Sequence, residues 1–282
     1  MRKHLSTIIL IVLFLVGLSV MLYPTFSNWW NQNMASHSIS TYKETVASFD
    51  NSKEKELLEQ AHAYNEALYK LNAPLTNFDQ LSDYDSILNI SGTGIMGYVS
   101  IPSIRVELPI YHGTSEGVLQ VAAGHIQGSS LPVGGTNTHC VISGHRGLPS
   151  ARLFTDLDQI VEGDIFTINV LNEVLTYEVE KILIIKPEDS RELEIIPGGD
   201  YVTLMTCTPY GVNSHRLLIR AHRIATMQDR TVRVSADAVQ IDQMKVLPFV
   251  AVPLVVMLMI YWSVSGRIRR RKKMKINPKY KL

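Results

Sequence analysis

Two uncharged apolar runs of nineteen residues, 5–23 and 246–264, bracket everything else in this 282-residue chain. A bilayer core takes about 20 residues in a helix, so each run has the length of a membrane span. A cleavable leader has a shorter apolar core and a small-x-small cleavage site. Here Met21-Leu22-Tyr23-Pro24 follows the first run without such a site, so the reading is an uncleaved anchor, with cleavage as the alternative. Pro248 and Pro253 are tolerable inside a membrane helix. Tyr23, Phe26, Trp29 and Trp30 suit one interfacial aromatic belt, and Tyr261 and Trp262 a second.

Flanking charge sets the orientation. Arg2 and Lys3 precede the first run, and nine of the chain's 27 basic residues lie between Arg267 and the C-terminus. Positive flanks stay on the cytoplasmic side. Both termini are therefore expected in the cytoplasm and the intervening domain outside, with the basic tail as a stop-transfer anchor. Residues 23–245 hold sixteen basic residues and all 26 acidic ones, a net charge of about −10. A nucleic-acid binder carries a basic footprint on its folded domain, so nucleic acid is not expected as a partner, whereas the lipid bilayer is. Two cysteines exclude a disulfide-stapled scaffold.

Residues 40–71 read as a helix, with Leu57, Ala61, Tyr64, Leu68 and Leu71 recurring at i+3 and i+4. Asn72-Ala73-Pro74 ends it. From Gly92 the pattern changes to short β-branched alternating runs at 97–101, 106–111, 138–143, 165–170, 174–185, 201–207 and 216–224. Leu171-Asn172-Glu173 is a plausible hairpin loop. Short helices are expected at 115–123, capped by Ser115, and at 151–157. Strands without helical crossovers imply a mostly antiparallel barrel or sandwich.

Cys207 ends the run Tyr201-Val202-Thr203-Leu204-Met205-Thr206-Cys207, and Pro209-Tyr210-Gly211 turns the chain at once. Arg216 opens the next strand, so a hairpin places both at its mouth. A cation beside a thiol favours the thiolate, and its donors stabilise an oxyanion on an attacked carbonyl. Such a nucleophile needs a proton carrier, usually histidine. His145, in Ser143-Gly144-His145-Arg146-Gly147, leads the nine histidines, with His125 next and His139, His215 and His222 also near predicted strands. Cys140 reads as a buried small hydrophobe. In an oxidising compartment a Cys140–Cys207 disulfide is the alternative. No zinc-ligand pair, phosphate loop, dinucleotide fingerprint or serine-hydrolase elbow occurs.

These residues resemble a family. Thr203-Leu204-Met205-Thr206-Cys207 matches the Thr-Leu-x-Thr-Cys signature of sortases, the cysteine transpeptidases of Gram-positive surfaces. Arg216 falls nine residues on, where the family's arginine is expected, and Val141-Ile142-Ser143-Gly144-His145-Arg146-Gly147 matches its histidine motif. Gly97-Tyr98-Val99-Ser100-Ile101-Pro102 is similar to its first barrel strand. Gly124-His125 through Leu131-Pro132-Val133-Gly134-Gly135, with Asn137-Thr138-His139-Cys140, resembles the pilus-assembling class C branch, as does a second membrane span.

The resemblance implies an all-β fold, a closed eight-stranded barrel with N-terminal helices, flanked by two transmembrane helices. It implies catalysis by Cys207, His145 and Arg216, a substrate groove at Thr206 and Leu204, structural roles for Cys140 and His125, and no cofactor or metal. Cys207 is expected to cleave a Leu-Pro-x-Thr-Gly-like signal between Thr and Gly, forming a thioester. His145 serves the leaving and incoming amines, and Arg216 holds the substrate and the oxyanion. A lysine of the next pilin resolves the thioester. A cell-wall peptide amine as acceptor, a hydrolase and a non-catalytic surface module are the alternatives. The expected order is a cytoplasmic N-terminus (1–4), a span (5–23), a helical stalk and lid-like segment (24–91), the catalytic barrel (92–226), a linker (227–245), a second span (246–264) and a basic cytoplasmic tail (265–282). Class C members usually carry an Asp-Pro-aromatic lid anchor, and residues 72–89 contain none. Leu75-Thr76-Asn77-Phe78 keeps the aromatic, making Phe78 the lid candidate and the lid weak or atypical.

Overall fold

A computed structural model describes residues 2–226, and the expected second span, the linker and the basic tail lie outside the described residues. Helix α1 (Arg2–Ala47) contains the first apolar run, and among the described residues it holds the one stretch long and apolar enough to cross a membrane. The compact unit that carries the barrel begins at Phe26. The aromatic residues Tyr23, Phe26, Trp29 and Trp30 are all exposed on α1.

The helix expected over 40–71 is two helices. Chain 48–50 breaks it, because Asp50 is extended and its carboxylate accepts from the Lys53 amide, which starts α2 (Asn51–Lys70). Helix α2 buries Ala61, Tyr64, Asn65 and Leu68 on one face. Asn65 grips Leu131 at both ends: its Oδ1 accepts from the Leu131 amide at 2.7 Å and its Nδ2 donates to the Leu131 carbonyl at 3.2 Å. Tyr42 does the same for α1, donating to the Met96 carbonyl and accepting from the Leu171 amide. Buried backbone groups that would otherwise lack partners are thus used to dock both helices.

Eight strands close a barrel: β1 (Ile95–Ile101), β2 (Val106–His112), β3 (Ala123–His125), β4 (Thr138–Ser143), β5 (Ile165–Val170), β6 (Glu173–Ile185), β7 (Asp200–Thr208) and β8 (His215–Ile224). Their order around the barrel is β1-β2-β3-β4-β7-β8-β6-β5. Six of the eight pairings are antiparallel, and β2–β3 and β4–β7 are parallel. Met96, Val99, Ile110, Ile142, Phe166 and Leu204 fill the interior, each worth roughly 1.5–3 kcal/mol when fully buried.

Three local expectations are corrected. Strand β3 was missed, because three residues are too few to show an alternating pattern. The helix at 115–123 is one turn, α4 (Glu116–Leu119), and Ser115 makes no side-chain cap. That turn follows another short one, α3 (Pro74–Asn77), in the pre-barrel segment. The helix at 151–157 is a series of turns ending in a 3-10 turn at Leu157–Gln159, with Leu153 at φ +39.

Candidate active site

Strand alternation sorts β7 into two faces. Val202 and Leu204 point into the barrel core, and Cys207 falls on the opposite, outer face with Met205. Leu204 is fully buried and the Thr206 hydroxyl is committed to the Gly144 carbonyl at 2.7 Å. Both are buried and share the inward parity of Val202, opposite to that of Cys207. Thr206 ties β7 to the segment that carries His145.

Cys207 and Arg216 are directly opposite in the β7–β8 hairpin. Cys207 is a half-buried free thiol. The Arg216 guanidinium donates through Nη1 to the Asn213 and His215 carbonyls, at 3.3 and 3.2 Å. On the other side β4 runs parallel to β7, with Ser143 opposite Met205 and the Gly144 amide donating to the Met205 carbonyl at 3.0 Å. Two residues on from Ser143 and Met205 stand His145 and Cys207. The three expected catalytic residues therefore come from three consecutive positions in the sheet order, β4, β7 and β8.

Two of the rival histidines, His125 and His139, are buried and structural. His125 is buried in β3, and burial holds its pKa down at about 4. Its Nε2 faces the Ser130 carbonyl at 2.8 Å and its Nδ1 faces the Tyr84 hydroxyl at 2.9 Å. A neutral ring protonated on Nε2 satisfies both, with Tyr84 donating. His139 is likewise held at about 4 by burial, with Nδ1 on the Glu194 carbonyl and Nε2 on the Thr203 hydroxyl. His145 alone of the three has open imidazole surface, at 28% side-chain exposure, and its Nε2 lies 3.9 Å from Glu116 Oε2.

Cys140 is buried in β4, and burial pushes its thiol pKa far up, with Asp200 adding to the effect. It pairs with Val202, five residues before Cys207 on the neighbouring strand. That is roughly 16 Å at about 3.3 Å per residue, beyond the roughly 7 Å Cα limit for a disulfide.

The sequence reading did not single out Arg146, whose side chain is only 9% exposed. It pairs with Asp158, reaches the Thr208 hydroxyl at 3.5 Å, and lies 5.8 Å from the centroid of the Tyr210 ring. Its position beside His145 was visible, but its partners are twelve and more residues away. Among the described residues no group of three His, Cys, Asp or Glu side chains could hold a metal.

The pre-barrel segment approaches the same face. Leu75 packs with Ile126, Leu183, Ile185 and Met205 against buried Val141, Leu193 and Leu218. Phe78 abuts Gly128 in the loop after β3. A Cβ at 128 would lie 2.8 Å from the Pro74 carbonyl oxygen, and φ there is +92°, so only glycine fits. Leu75 is the side chain of this segment in the cluster that contains Met205, two residues before Cys207.

Comparison with known proteins agrees with this geometry. The Sortase domain family model matches residues 99–224. The crystal structure of sortase C1 from Streptococcus agalactiae is 48% identical with a TM-score of 0.62, covering 68% of this chain and all of that one. The Streptococcus pneumoniae sortase C structure is 45% identical with a TM-score of 0.62, covering 67% of this chain and 97% of that one. Among curated proteins, Sortase A of Streptococcus agalactiae serotype III (strain NEM316) is 30% identical over 117 residues, 40% of this chain. The match spans 47% of that relative, about half its length. Sortase D of Bacillus subtilis (strain 168) is 26% identical over 160 residues, 57% of this chain and 77% of the relative.

Proposed function

The chain belongs to the sortase family, and we propose that it is a membrane-anchored cysteine transpeptidase of the pilin-polymerising kind. The observation that carries this reading is the cross-strand pair of Cys207 and Arg216 beside the strand extension that bears His145. In it, Cys207 attacks the carbonyl carbon between Thr and Gly of a Leu-Pro-x-Thr-Gly-like signal. His145 takes the thiol proton and delivers it to the leaving amine. Arg216 turns its guanidinium from the loop carbonyls to the substrate, where it holds the acyl group and the developing oxyanion. The product is a thioester on Cys207, which a lysine amine of the next subunit resolves as an isopeptide. The structural neighbour from Streptococcus pneumoniae is described in terms of its pilin substrate specificity, which favours a pilin over a cell-wall peptide as acceptor. No step draws on a cofactor or metal.

The same reading places residues 5–23 and 246–264 in the membrane, both termini in the cytoplasm and the barrel outside, joined to the first span by the helical stalk. Residues 74–80 act as a lid whose occupancy depends on Leu75 and Phe78. The test is intact-mass spectrometry of the full-length protein in detergent with a Leu-Pro-x-Thr-Gly peptide. A mass gain equal to the acyl fragment, absent in Cys207→Ala, is expected. A half-exposed, reagent-reactive Cys207 that takes up no acyl group from any such peptide would overturn the reading.

A further inference from the structure

The sheet order sets four side chains in a row across the open face. Helix α4 leads into β3, and β3 is followed in the sheet by β4, β7 and β8. Glu116 opens α4, His145 lies two residues beyond the end of β4, Cys207 is the last residue but one of β7 and Arg216 is the second residue of β8. The row therefore reads anion, imidazole, thiol, cation. Because β3 pairs with β4 at Gly124 and Ser143, Glu116 and His145 reach the same end of the sheet. The result is the 3.9 Å approach of Glu116 Oε2 to His145 Nε2.

The Glu116 carboxylate is set apart from other acids of this region by its partners. Asp158 is paired with Arg146, Asp156 with Arg152, and Glu180 and Glu192 with Arg220. Glu116 approaches the His145 imidazole, and it forms no ion pair with a lysine or arginine among the described residues. Its Oε1 is held by the Gln120 amide at 2.5 Å, which turns Oε2 toward the imidazole. Its side chain is 75% exposed, so a solute reaches it from bulk water. Arg216, at the far end of the row, suits the acyl group and oxyanion. The anionic end is left for a group of opposite charge.

We infer that Glu116 is the acceptor-binding residue, receiving the ammonium of the incoming primary amine beside His145. The inference rests on the transpeptidase reading above and deepens it by fixing the side from which the second substrate enters. After acylation His145 is neutral, having passed the thiol proton to the departing amine. The ammonium held by Glu116 gives one proton to His145, and the freed amine attacks the thioester carbonyl carbon. The C–N bond forms and the C–S bond breaks, with the second amine proton ending on the Cys207 sulfur. His145 then releases its proton to water, and thiol and neutral imidazole are restored. Glu116 stays ionised throughout and supplies position, not a proton. An acceptor without positive charge gains nothing from it.

Glu116→Gln keeps the size and hydrogen bonding and removes the charge. The full-length protein in detergent is acylated with the peptide, then released either by a lysine-containing peptide amine or by hydroxylamine, which is uncharged at neutral pH. Loss of one exposed ion pair predicts a fall of about threefold to fivefold in kcat/KM for the lysine amine, carried by KM. Charge reversal in Glu116→Lys lowers it further. Acylation rate and hydroxylamine release change by less than about twofold on the same scale. An equal loss for both nucleophiles, or no loss for either, overturns the inference. Failure of the wild-type protein to form any acyl-enzyme overturns the transpeptidase reading instead, and this inference with it.

Discussion

The Arg146 guanidinium lies 5.8 Å from the centroid of the Tyr210 ring, and through this contact the loop of His145 is fastened to the loop after Cys207. Arg146 also pairs with Asp158 and reaches Thr208, one residue beyond Cys207. Gly147 makes room for the ring: φ is +78°, and a Cβ there would lie 2.9 Å from it. Proton transfer between thiol and imidazole depends on their separation, and a misplacement of about 1 Å costs on the order of a hundredfold in rate. Arg146→Ala is therefore expected to lower the acylation rate roughly tenfold to a hundredfold, with peptide KM little changed. Lysine cannot reproduce the planar fork over the ring, so Arg146→Lys recovers little of the loss. Stopped acylation measured by intact mass checks this, and an Arg146→Ala rate within about twofold of wild type would remove Arg146 from the positioning machinery.

The pre-barrel segment presents one aliphatic side chain, Leu75, to the cluster that contains Met205, and that side chain is only half buried. Half-burying a leucine is worth about 1–1.5 kcal/mol, so a lid held by it shuts the groove by only about tenfold. Deleting residues 72–81 is expected to speed peptide cleavage by about that factor, and Leu75→Ala to achieve more of it than Phe78→Ala. Progress curves with a quenched peptide decide between them. An acceleration of a hundredfold or more on deletion would mean a tightly closed lid.

The Cys207–Arg216 pair was legible because an alternating strand, a Pro-Tyr-Gly turn and a second strand fix a hairpin register over residues 201–224. The family motifs then supplied the closed barrel, and the structure has one. What stayed hidden lies in long-range geometry. Strand β3 is too short to carry a periodicity, and its parallel pairing to β2 has no local signal. Leu204 and Thr206 sit in a motif beside the nucleophile, yet strand alternation turns Leu204 inward, and the register with β4 gives Thr206 to Gly144. Glu116 looks like any exposed acid until the sheet order brings it to His145. The break at Phe49 was missed because Asp50, a capping residue, lies within an otherwise helical pattern.

The two thiols differ in environment, and a reagent should tell them apart. Cys207 is half exposed, whereas Cys140 lies in the core with its thiol pKa pushed up by burial. A water-soluble thiol reagent is expected to modify one cysteine in the folded protein and two after denaturation. Cys207→Ala should abolish the native-state modification and Cys140→Ala should leave it intact. Two modified thiols in the folded protein, or none, would contradict the placement of the strands.

His125 and His139 make stability depend on pH in a direction fixed by burial. Each ring has its folded pKa depressed to about 4, from about 6.5 in an unfolded chain. Between those values the unfolded state binds more protons than the folded one, so unfolding is favoured as pH falls. The stabilisation is complete above about pH 6.5, declines as pH drops toward 4, and changes no further below that through these groups. Each ring contributes up to about 1.4 kcal/mol per pH unit within the window. For His139 the nearby charges are Arg220, which disfavours protonation, and Glu180 and Glu192, which favour it. For His125 the nearby His112 acts in the same sense as burial. Thermal midpoints measured from pH 7 to pH 4 are expected to fall steeply. His139→Gln replaces the ring with a group that does not titrate, so its midpoint falls less steeply over that range even where its pH 7 value is lower. Equal slopes for the variant and the wild-type chain would show that the ring titrates in the folded protein as it does in the unfolded one, and that burial does not depress it.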